Sequence, residues 1–428
     1  MTQNDTIADA ALAQTVAQTE PTAASDAALA RTAVQDGPPT TTTKRPALTA
    51  TLPAATSRPA VLPRVAQAGA AGEVRLVHED RVRYERQGVI GAGGMGEVER
   101  ATDVDIGRTV AIKRLLPEAT SETNVARFVS EVRIVGGLEH PNVVPIHDVG
   151  VDEQGRYFFV MKYVEGETLE QVADKLRAND PEARRRWTIE ARVDAFLGLL
   201  HALDVAHSKG IVHRDVKPSN VMVGAHGEVW LMDWGVARRV DGVDLPAAPE
   251  SAPEVARTLT VRTTRHGALV GTPAYMAPEQ ARGDASKLSA RSDLYAACVV
   301  FHELLTLRHC MEHRMGSLDE LLAAVKDEAP KLWGDTQEVV PPELIHFCAR
   351  GVRKDPAERW ASAQDMIVEL QQIRAGECRV QCIATFQKRA LRTIGHFVDQ
   401  HPVVSLVALG ATAALALGGV LGIVRVLV

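Results

Sequence analysis

The sequence predicts an α+β protein with two lobes, a small and mostly antiparallel sheet carrying one helix, followed by a larger helical lobe. Between residues 84 and 163, short apolar segments of alternating character are broken by glycines, which is typical of strands. After Gly166 the apolar residues recur at helical spacing. Because the strand-like and helix-like patterns follow one another along the chain, each lobe is expected to have its own architecture.

The first lobe is predicted to contain several strands and one helix. The helix covers residues 124–138, where apolar residues recur on one face until Gly136 and Gly137 interrupt the pattern. The predicted strands are those around Val89 and Ile90, from Val98 onward, 110–113 and 157–163.

The second lobe is predicted from amphipathic helical patterns. The clearest covers 191–207, where six large apolar residues lie mostly along one stripe. Similar patterns cover 291–307, 318–325, 343–349 and 363–373. Between them, the segment 235–271 is rich in Ala, Pro, Thr and Arg and has little periodicity. A loop of that length within a domain is usually functional or mobile.

The two ends of the chain differ from the lobes. Residues 1–75 are rich in Ala, Thr and Pro and are predicted to be a disordered tail, without the features of a secretory signal. Residues 403–424 hold 22 residues without a charge, and a helix of that length spans about 33 Å, enough to cross a bilayer. The alternative is a buried core helix.

The segment 376–402 is therefore interpreted as juxtamembrane. It contains Lys388, Arg389 and Arg392, a basic flank typical of the cytoplasmic side. We therefore expect a single-pass membrane protein with its folded domain in the cytoplasm. Gly418 and Gly422 form a small-residue pair that would let two helices approach, which makes a homodimer one expectation.

Composition excludes several other classes of protein. A net charge of −6 on 428 residues gives no reason to expect nucleic acid as a partner. The five cysteines are odd in number and scattered, unlike a disulfide framework, and indicate a reducing compartment.

A glycine-rich turn and a lysine mark the first lobe as a candidate phosphate-binding unit. The turn runs from Gly91 to Gly96 and continues in strand-like alternation, which suits a hairpin whose amides approach phosphates. A glycine hairpin without a ligand is the alternative. Lys113 lies in an apolar strand, so it is either a snorkelling edge residue or a buried cation that needs a partner. Glu131 on the following helix is the candidate partner, although a solvated helix face is the usual position for a glutamate.

A short loop in the second lobe carries the residue types needed to move the γ-phosphoryl group of ATP. Such transfer requires in-line positioning and neutralisation of phosphate charge, with little covalent help from the protein. Asp215 is the candidate base that orients the substrate hydroxyl and accepts its proton, and Lys217 is suited to neutralise the γ-phosphate. Asn220 and Asp233 offer the oxygen ligands that Mg²⁺ prefers. His213 is expected to shape the loop by packing and hydrogen bonding.

With these motifs in this order, and with Ala277-Pro278-Glu279 after them, the chain resembles a protein kinase of the Ser/Thr type, most closely the bacterial membrane-anchored ones. The resemblance covers about 84–373 and implies a kinase domain over 84–375, with lobes 84–161 and 167–375 joined by a hinge, 162–166. It implies that Met161 is the gatekeeper, that Asp293 braces the catalytic loop and that Arg359 pairs with Glu279. The residues implied to contact ATP are Ile90, Gly91, Gly93, Gly96, Val98, Lys113, Met161, Tyr163 and Val164.

The resemblance also implies the substrate class and identifies two departures. Residues 217–220 and 271–275 resemble the Ser/Thr pattern, in which Thr272 would hold Asp215 and Lys217 beside a short hydroxyl side chain. Trp234 stands where the family usually has Phe, from which we expect altered packing and retained Mg²⁺ binding. The segment 235–271 is longer than usual.

Regulation is predicted at the same loop. Arg214 precedes the candidate base and is expected to be a poorly paired cation, so a phosphothreonine at Thr263 or Thr264 would pair with it and order the segment. Ordinary loop threonines are the alternative.

The function predicted from the sequence is ATP- and Mg²⁺-dependent phosphorylation of Ser and Thr in protein substrates, the chain itself included. A scaffold without activity and a small-molecule kinase of the same fold remain the alternatives.

Overall fold

The computed structural model describes residues 61–62, 64–68, 73–77, 82–93, 96–117, 121–239, 262–263, 269–270, 272–332, 339–377 and 382–407. All of them belong to the unit Leu52–Val428. Most of the predicted tail lies outside these residues. Its last part does not, because Arg64–Ala68 (β1) and Glu73–Val77 (β2) form an antiparallel hairpin. The predicted limit of the disordered tail at residue 75 is therefore wrong.

The first lobe is a five-stranded antiparallel sheet in the order β3-β4-β5-β7-β6. The prediction missed β6 because its sequence, IHDVGV, interrupts the apolar alternation with His, Asp and Gly, as an edge strand can. Val110, Ile112 and Val160 pack with Tyr84 in a small core on the sheet. The strands are β3 Tyr84–Ala92, β4 Gly96–Asp103, β5 Arg108–Leu115, β6 Ile146–Val151 and β7 Tyr157–Lys162.

One helix, Glu122–Gly136 (α1), packs on this sheet, as predicted. Its first turn is capped by the Ser121 side chain, which accepts a hydrogen bond from the Asn124 amide. Gly137 ends it, and the Gly137 amide donates to the carbonyl oxygens of the last turn. Phe128 on the helix lies against Phe159 of β7, with ring centroids 5.3 Å apart, which fixes the helix on the sheet.

The second lobe is helical, and each of its predicted helices is present within a few residues of the predicted bounds. Its core is built around Ile189–Ser208 (α4) and Ala290–Thr306 (α6), whose Phe196 and Phe301 stack at 4.0 Å. Other helices are α2 Leu169–Arg177, α3 Pro181–Arg186, α5 Pro278–Ala281, α7 Leu318–Asp327, α8 Pro342–Gly351, α9 Ala363–Arg374 and α10 Ile383–Gln400.

Sequence reasoning missed α2, although the sequence carries a signal for it. Thr168 and Gln171 form a reciprocal capping box at its start, and four buried apolar residues follow at helical spacing. Its short length and the neighbouring polar residues hid the pattern.

Short strands complete the second lobe. They pair as β8-β10-β11 and as β9 with β12, and β13 pairs with β14 inside the segment predicted as a long loop. Their bounds are β8 Gly166–Thr168, β9 Ile211–Val212, β10 Val221–Gly224, β11 Val229–Leu231, β12 Arg238–Arg239, β13 Arg262–Thr263 and β14 Leu269–Val270.

In the described part of the chain, no helix has both the length and the apolar character needed to cross a membrane. Of the predicted span 403–424, only residues up to 407 are described, and the rest lies outside the described residues. The predicted juxtamembrane segment contains α10.

Candidate active site

The glycine-rich turn joins β3 to β4 as an antiparallel hairpin, which is the predicted geometry. The Gly93 amide donates to the Gly96 carbonyl oxygen at 2.8 Å across the turn. A Cβ on Gly96 would lie 2.6 Å from the carbonyl oxygen of Arg114 on β5, so only glycine fits at that position. Beside the turn, Ile90 is half exposed and Val98 is partly buried.

Lys113 and Glu131 form an ion pair that joins β5 to α1. The Lys113 Nζ lies 2.5 Å from Glu131 Oε1 and 3.3 Å from Asp233 Oδ1 of the second lobe. Burial alone would lower the pKa of Lys113, but the two carboxylates outweigh it and raise the pKa. Glu131 is only 3% exposed, which rules out the alternative of a solvated glutamate. A lysine held charged in this way is suited to bind phosphate.

The loop that carries Asp215 is held by Asp293 in the first turn of α6. The Asp293 carboxylate accepts hydrogen bonds from the amides of His213 and Arg214, both at 2.8 Å, and lies 2.8 Å from the His207 Nε2. Burial would raise the pKa of Asp293, but these partners lower it, so it stays a carboxylate. The resemblance predicted this brace, and the hydrogen bonds confirm the contact.

Two of the candidate catalytic side chains of the loop, Lys217 and Asn220, both contact Asp215. Lys217 Nζ lies 2.6 Å from Asp215 Oδ2, and the Asn220 Nδ2 donates to the same oxygen at 3.1 Å and to the Asp215 carbonyl at 2.9 Å. Burial raises the pKa of Asp215 even though Lys217 opposes the shift. A carboxylate whose pKa is raised in this way is a stronger base than an exposed one.

Asp233 faces this loop from the segment after β11. Its backbone is left-handed, with φ of 58°, and its side chain is 51% exposed to the cleft. The positive charge of Lys113 lowers the pKa of Asp233, which keeps Asp233 ionised. The Met232 amide donates to the Asn220 carbonyl oxygen at 2.8 Å, which ties the two loops together.

This oxygen set fits Mg²⁺. The Asn220 amide nitrogen donates hydrogen bonds to Asp215, so the amide oxygen is the atom that would bind the metal ion. Asp233 would add an ionised carboxylate as the second ligand. In the part of the chain that the structure describes, no group of three or more His, Cys, Asp or Glu residues is arranged to hold a metal ion. A site with two protein ligands suits a cation that takes its other ligands from phosphates and water, as Mg²⁺ does.

Trp234 is buried beside the site and donates a hydrogen bond that a phenylalanine at this position would lack. It is 2% exposed, and its Nε1 donates to the Leu231 carbonyl oxygen at 3.3 Å. Its ring lies edge-on to that of His213, with centroids 4.6 Å apart. The His213 Nδ1 accepts from the Asp215 amide at 3.2 Å, and its Nε2 lies 3.0 Å from the Met232 carbonyl oxygen. His213 therefore shapes the loop, as predicted.

The predicted adenine side of the cleft lies at the end of β7. Met161 is partly buried and packs against two clusters of buried apolar residues. Val164 is buried, and the Tyr163 ring lies under the Arg100 guanidinium of β4 at 4.9 Å. The Lys162 Nζ lies over the Trp230 ring at 4.4 Å.

Glu279 and Arg359 form a buried ion pair, as the resemblance implied. Two parallel hydrogen bonds of 2.8 Å join the guanidinium to the carboxylate, and Ser292 Oγ donates to the same carboxylate at 2.7 Å. The next residue, Gln280, donates from Nε2 to the Arg214 carbonyl oxygen at 2.8 Å. Helix α5 is thus linked to the catalytic loop.

The predicted regulatory residues are only partly described. The expectation that Arg214 is poorly paired is wrong, because its side chain has partners; one contact joins Nη1 to the Val236 carbonyl oxygen at 3.5 Å. Thr263 lies in β13 and Thr272 begins the 3-10 turn Thr272–Tyr275, but their side chains lie outside the description, as does Thr264.

Comparison with known proteins identifies the family of the chain. The protein kinase domain family matches residues 84–370, more than half of the chain. The chain is 32% identical over 310 residues to the serine/threonine-protein kinase PknD of Protochlamydia amoebophila (strain UWE25), covering 70% of this chain and 31% of that protein. It is 34% identical over 300 residues to the serine/threonine-protein kinase pkn3 of Myxococcus xanthus, covering 68% and 50%.

A third relative is the probable serine/threonine-protein kinase SCO3848 of Streptomyces coelicolor (strain ATCC BAA-471 / A3(2) / M145), 33% identical over 332 residues, with 76% of this chain and 44% of that protein covered. The chain thus spans a third to a half of the length of these relatives. With the matched region and the two-lobed fold coinciding, the chain belongs to the protein kinase family.

Proposed function

We propose that this protein transfers the γ-phosphoryl group of ATP to serine and threonine hydroxyls of proteins, with Mg²⁺, and that its own segment 235–271 is among the targets. One observation supports this most directly: Lys113, paired with Glu131, also reaches Asp233 of the second lobe, while Lys217 and Asn220 both contact Asp215. A kinase site held together in this way has its charged groups in place before substrate arrives.

The chain's own residues divide the work. Asp215, whose pKa burial raises, orients the substrate hydroxyl and accepts its proton. Lys217 neutralises charge on the transferred phosphoryl group, and Lys113 binds the phosphates nearer the nucleoside. Asn220 and Asp233 would hold Mg²⁺, which when bound neutralises phosphate charge. The glycine turn and residues Ile90, Val98, Met161, Tyr163 and Val164 would enclose the nucleotide.

Several features favour serine and threonine residues of proteins as substrates. The relatives above are named serine/threonine-protein kinases. Thr272 would sit beside Asp215 and Lys217 and favour a short hydroxyl side chain. The Glu279–Arg359 pair and the Gln280 bond to the loop hold α5 as a platform on which a peptide would dock.

The test is transfer of labelled phosphate from ATP to a general protein substrate and to the chain itself. Asp215→Asn keeps the shape of the side chain and removes the base, so we expect activity to fall by about 10²–10⁴-fold. Asp194→Asn, a matched change at an exposed carboxylate of α4, should leave activity unchanged. Label on phosphotyrosine only, or equal activity in both variants, contradicts the proposal. Activity absent from the unaltered chain favours the scaffold alternative, and label on small metabolites alone favours the small-molecule kinase.

Autophosphorylation is tested separately. After incubation with ATP and Mg²⁺, mass spectrometry of the active protein should find phosphate on Thr263 or Thr264, and Asp215→Asn should lack it. Active protein without phosphate in residues 258–264 contradicts this part of the proposal alone.

The proposed location is a membrane, reached through the uncharged segment 403–424, with the kinase domain in the cytoplasm and a homodimer as one arrangement. The length of that segment and the basic residues before it support the proposal. In cell fractionation, the full chain should sediment with membranes and resist extraction by carbonate. A variant with Gly410→Lys and Ala414→Lys should be released, and equal sedimentation of this variant and the unaltered chain would contradict a spanning anchor.

A further inference from the structure

Helix α10 has an apolar side that the described part of the chain leaves exposed. Ile394, Phe397 and Val398 are 60%, 51% and 42% exposed, and their spacing of three and four residues places them on one side of the helix. A cluster of large apolar side chains open to solvent indicates a binding surface. The start of the helix is fixed, because it contacts α8 and Thr385 there is 1% exposed.

A break separates α10 from the chain that follows. The helix ends at Gln400, His401 has non-helical angles (φ −130°, ψ 59°), and Pro402 opens the helical residues 402–407. Proline disfavours helical geometry in the residue before it, so α10 is not a straight extension of the apolar segment. The exposed apolar side chains continue past the break with Val403, Val404, Leu406 and Val407.

The charges of this region have one dominant sign. Residues 383–407 contain three basic residues, Lys388, Arg389 and Arg392, and one acidic residue, Asp399, although the whole chain is acidic with a net charge of −6. At 100° per residue, backbone positions 388, 389 and 392 lie about 120–160° around the helix from position 394. Basic and apolar positions therefore lie on opposite sides of one helix.

We propose that α10 lies flat on a membrane surface that contains anionic phospholipid, with Ile394, Phe397 and Val398 at the acyl boundary. A helix with an apolar side opposite a basic side is the type that binds such surfaces. A second copy of the chain is a weaker candidate, because pairing of the two apolar sides would leave the basic residues of both helices without an anionic partner. The inference rests on the proposed membrane attachment, which would hold α10 within reach of the lipid.

The test measures the depth of two spin labels in the full chain reconstituted in vesicles. One label replaces Phe397, and the control label replaces Val368, which is 41% exposed on α9. Cys378 and Cys382 are changed to serine, and the other three cysteines are buried. In vesicles with phosphatidylglycerol, the label at 397 should be accessible to oxygen and shielded from a water-soluble nickel complex, and the label at 368 should show the reverse.

Charge reversal tests the role of the basic residues. Each basic residue near an anionic surface contributes about fivefold to binding, so loss of the three positive charges alone would weaken binding about a hundredfold. Because Lys388→Glu, Arg389→Glu and Arg392→Glu also add three negative charges, together they should reduce the ratio of shielded to exposed label at 397 by more than that. The same charge change at three exposed residues of the helical lobe should have no such effect; these are Arg185, Lys331 and Arg353.

The outcomes separate the two proposals. Chain that floats with vesicles while the label at 397 stays exposed to nickel overturns the surface proposal and leaves the anchor intact. Chain that does not float with vesicles overturns both. The label at 397 could be shielded from nickel equally in neutral and in anionic vesicles and show dipolar coupling to the label of a second chain. That result overturns the proposal of an anionic lipid surface in favour of a dimer.

Discussion

Replacement of Arg359 by methionine should destabilise the helical lobe strongly. The guanidinium is 2% exposed and donates to both oxygens of Glu279 at 2.8 Å. It also donates to three backbone carbonyl oxygens, at 2.7, 3.0 and 3.1 Å. Removing one partner of a buried ion pair costs about 3–5 kcal/mol, because the other charge stays buried without compensation. The loss of three further hydrogen bonds places the expected cost at or above the upper end of that range, about 5 kcal/mol.

The assay is urea denaturation of the full chain followed by tryptophan fluorescence, which Trp360 reports from the next position. Arg374→Met is the matched control, since Arg374 lies 2.6 Å from Asp194 but both side chains are about half exposed. Exposed pairs contribute about 0–1 kcal/mol, so the control should unfold close to the unaltered protein. If Arg359→Met does not accumulate, Arg359→Lys keeps the charge without the paired bonds and should show an intermediate loss.

Two further measurements test the reasoning. Arg359→Met combined with Glu279→Gln should cost less than the sum of the single changes, because no buried charge remains. Burial would raise the pKa of Glu279, but Arg359 lowers it, so the stabilisation by the pair is present at neutral pH and is lost as pH falls through the lowered pKa. Equal losses for Arg359→Met and Arg374→Met, or strict additivity with Glu279→Gln, would refute the argument.

Three other changes test the cleft. Lys217→Met removes the charge that opposes the rise in the pKa of Asp215, so the acidic limb of the pH profile of kcat/KM should move to higher pH. A limb that keeps its position or moves to lower pH contradicts this prediction. Gly96→Ala should raise the KM for ATP about tenfold, because the added Cβ would lie 2.6 Å from a carbonyl oxygen. Gly136→Ala is the control and should leave the KM unchanged, because an added Cβ there would have no atom within 4 Å. Trp234→Phe removes a buried hydrogen-bond donor and should lower the free energy of unfolding by about 1–2 kcal/mol. The Mg²⁺ dependence of activity should persist, and its loss would show that the indole has a role beyond packing.

The sequence was most informative where local chemistry determines structure. The glycine turn, the α1 stop at Gly137 and the helices of the second lobe follow from backbone freedom and apolar spacing, which a single chain displays directly. The Lys113–Glu131 pair was predicted as a pair, but its contact with Asp233 depends on how the lobes meet. Periodicity carries no information on that.

Other features depended on tertiary contacts that no local pattern encodes. Edge strand β6 is polar enough to be overlooked, and it exists because β7 supplies its hydrogen bonds. The position of Arg214 beside Asp215 in the sequence suggested a poorly paired cation. Its side chain has partners in the structure because of tertiary packing, which the sequence does not display. The hairpin at β1 and β2 forms in a segment whose composition predicts disorder, because composition does not report strand pairing.

The position of Asp293 has a consequence for the motions of the cleft. A surface loop ordinarily exchanges its amide hydrogens quickly, but the amides of His213 and Arg214 are bonded to a carboxylate in the first turn of α6, which is buried along nearly its whole length. Their exchange with solvent deuterium should therefore require opening of the lobe interior itself. The amides that precede the base should then exchange as slowly as those of the most protected helix in the lobe.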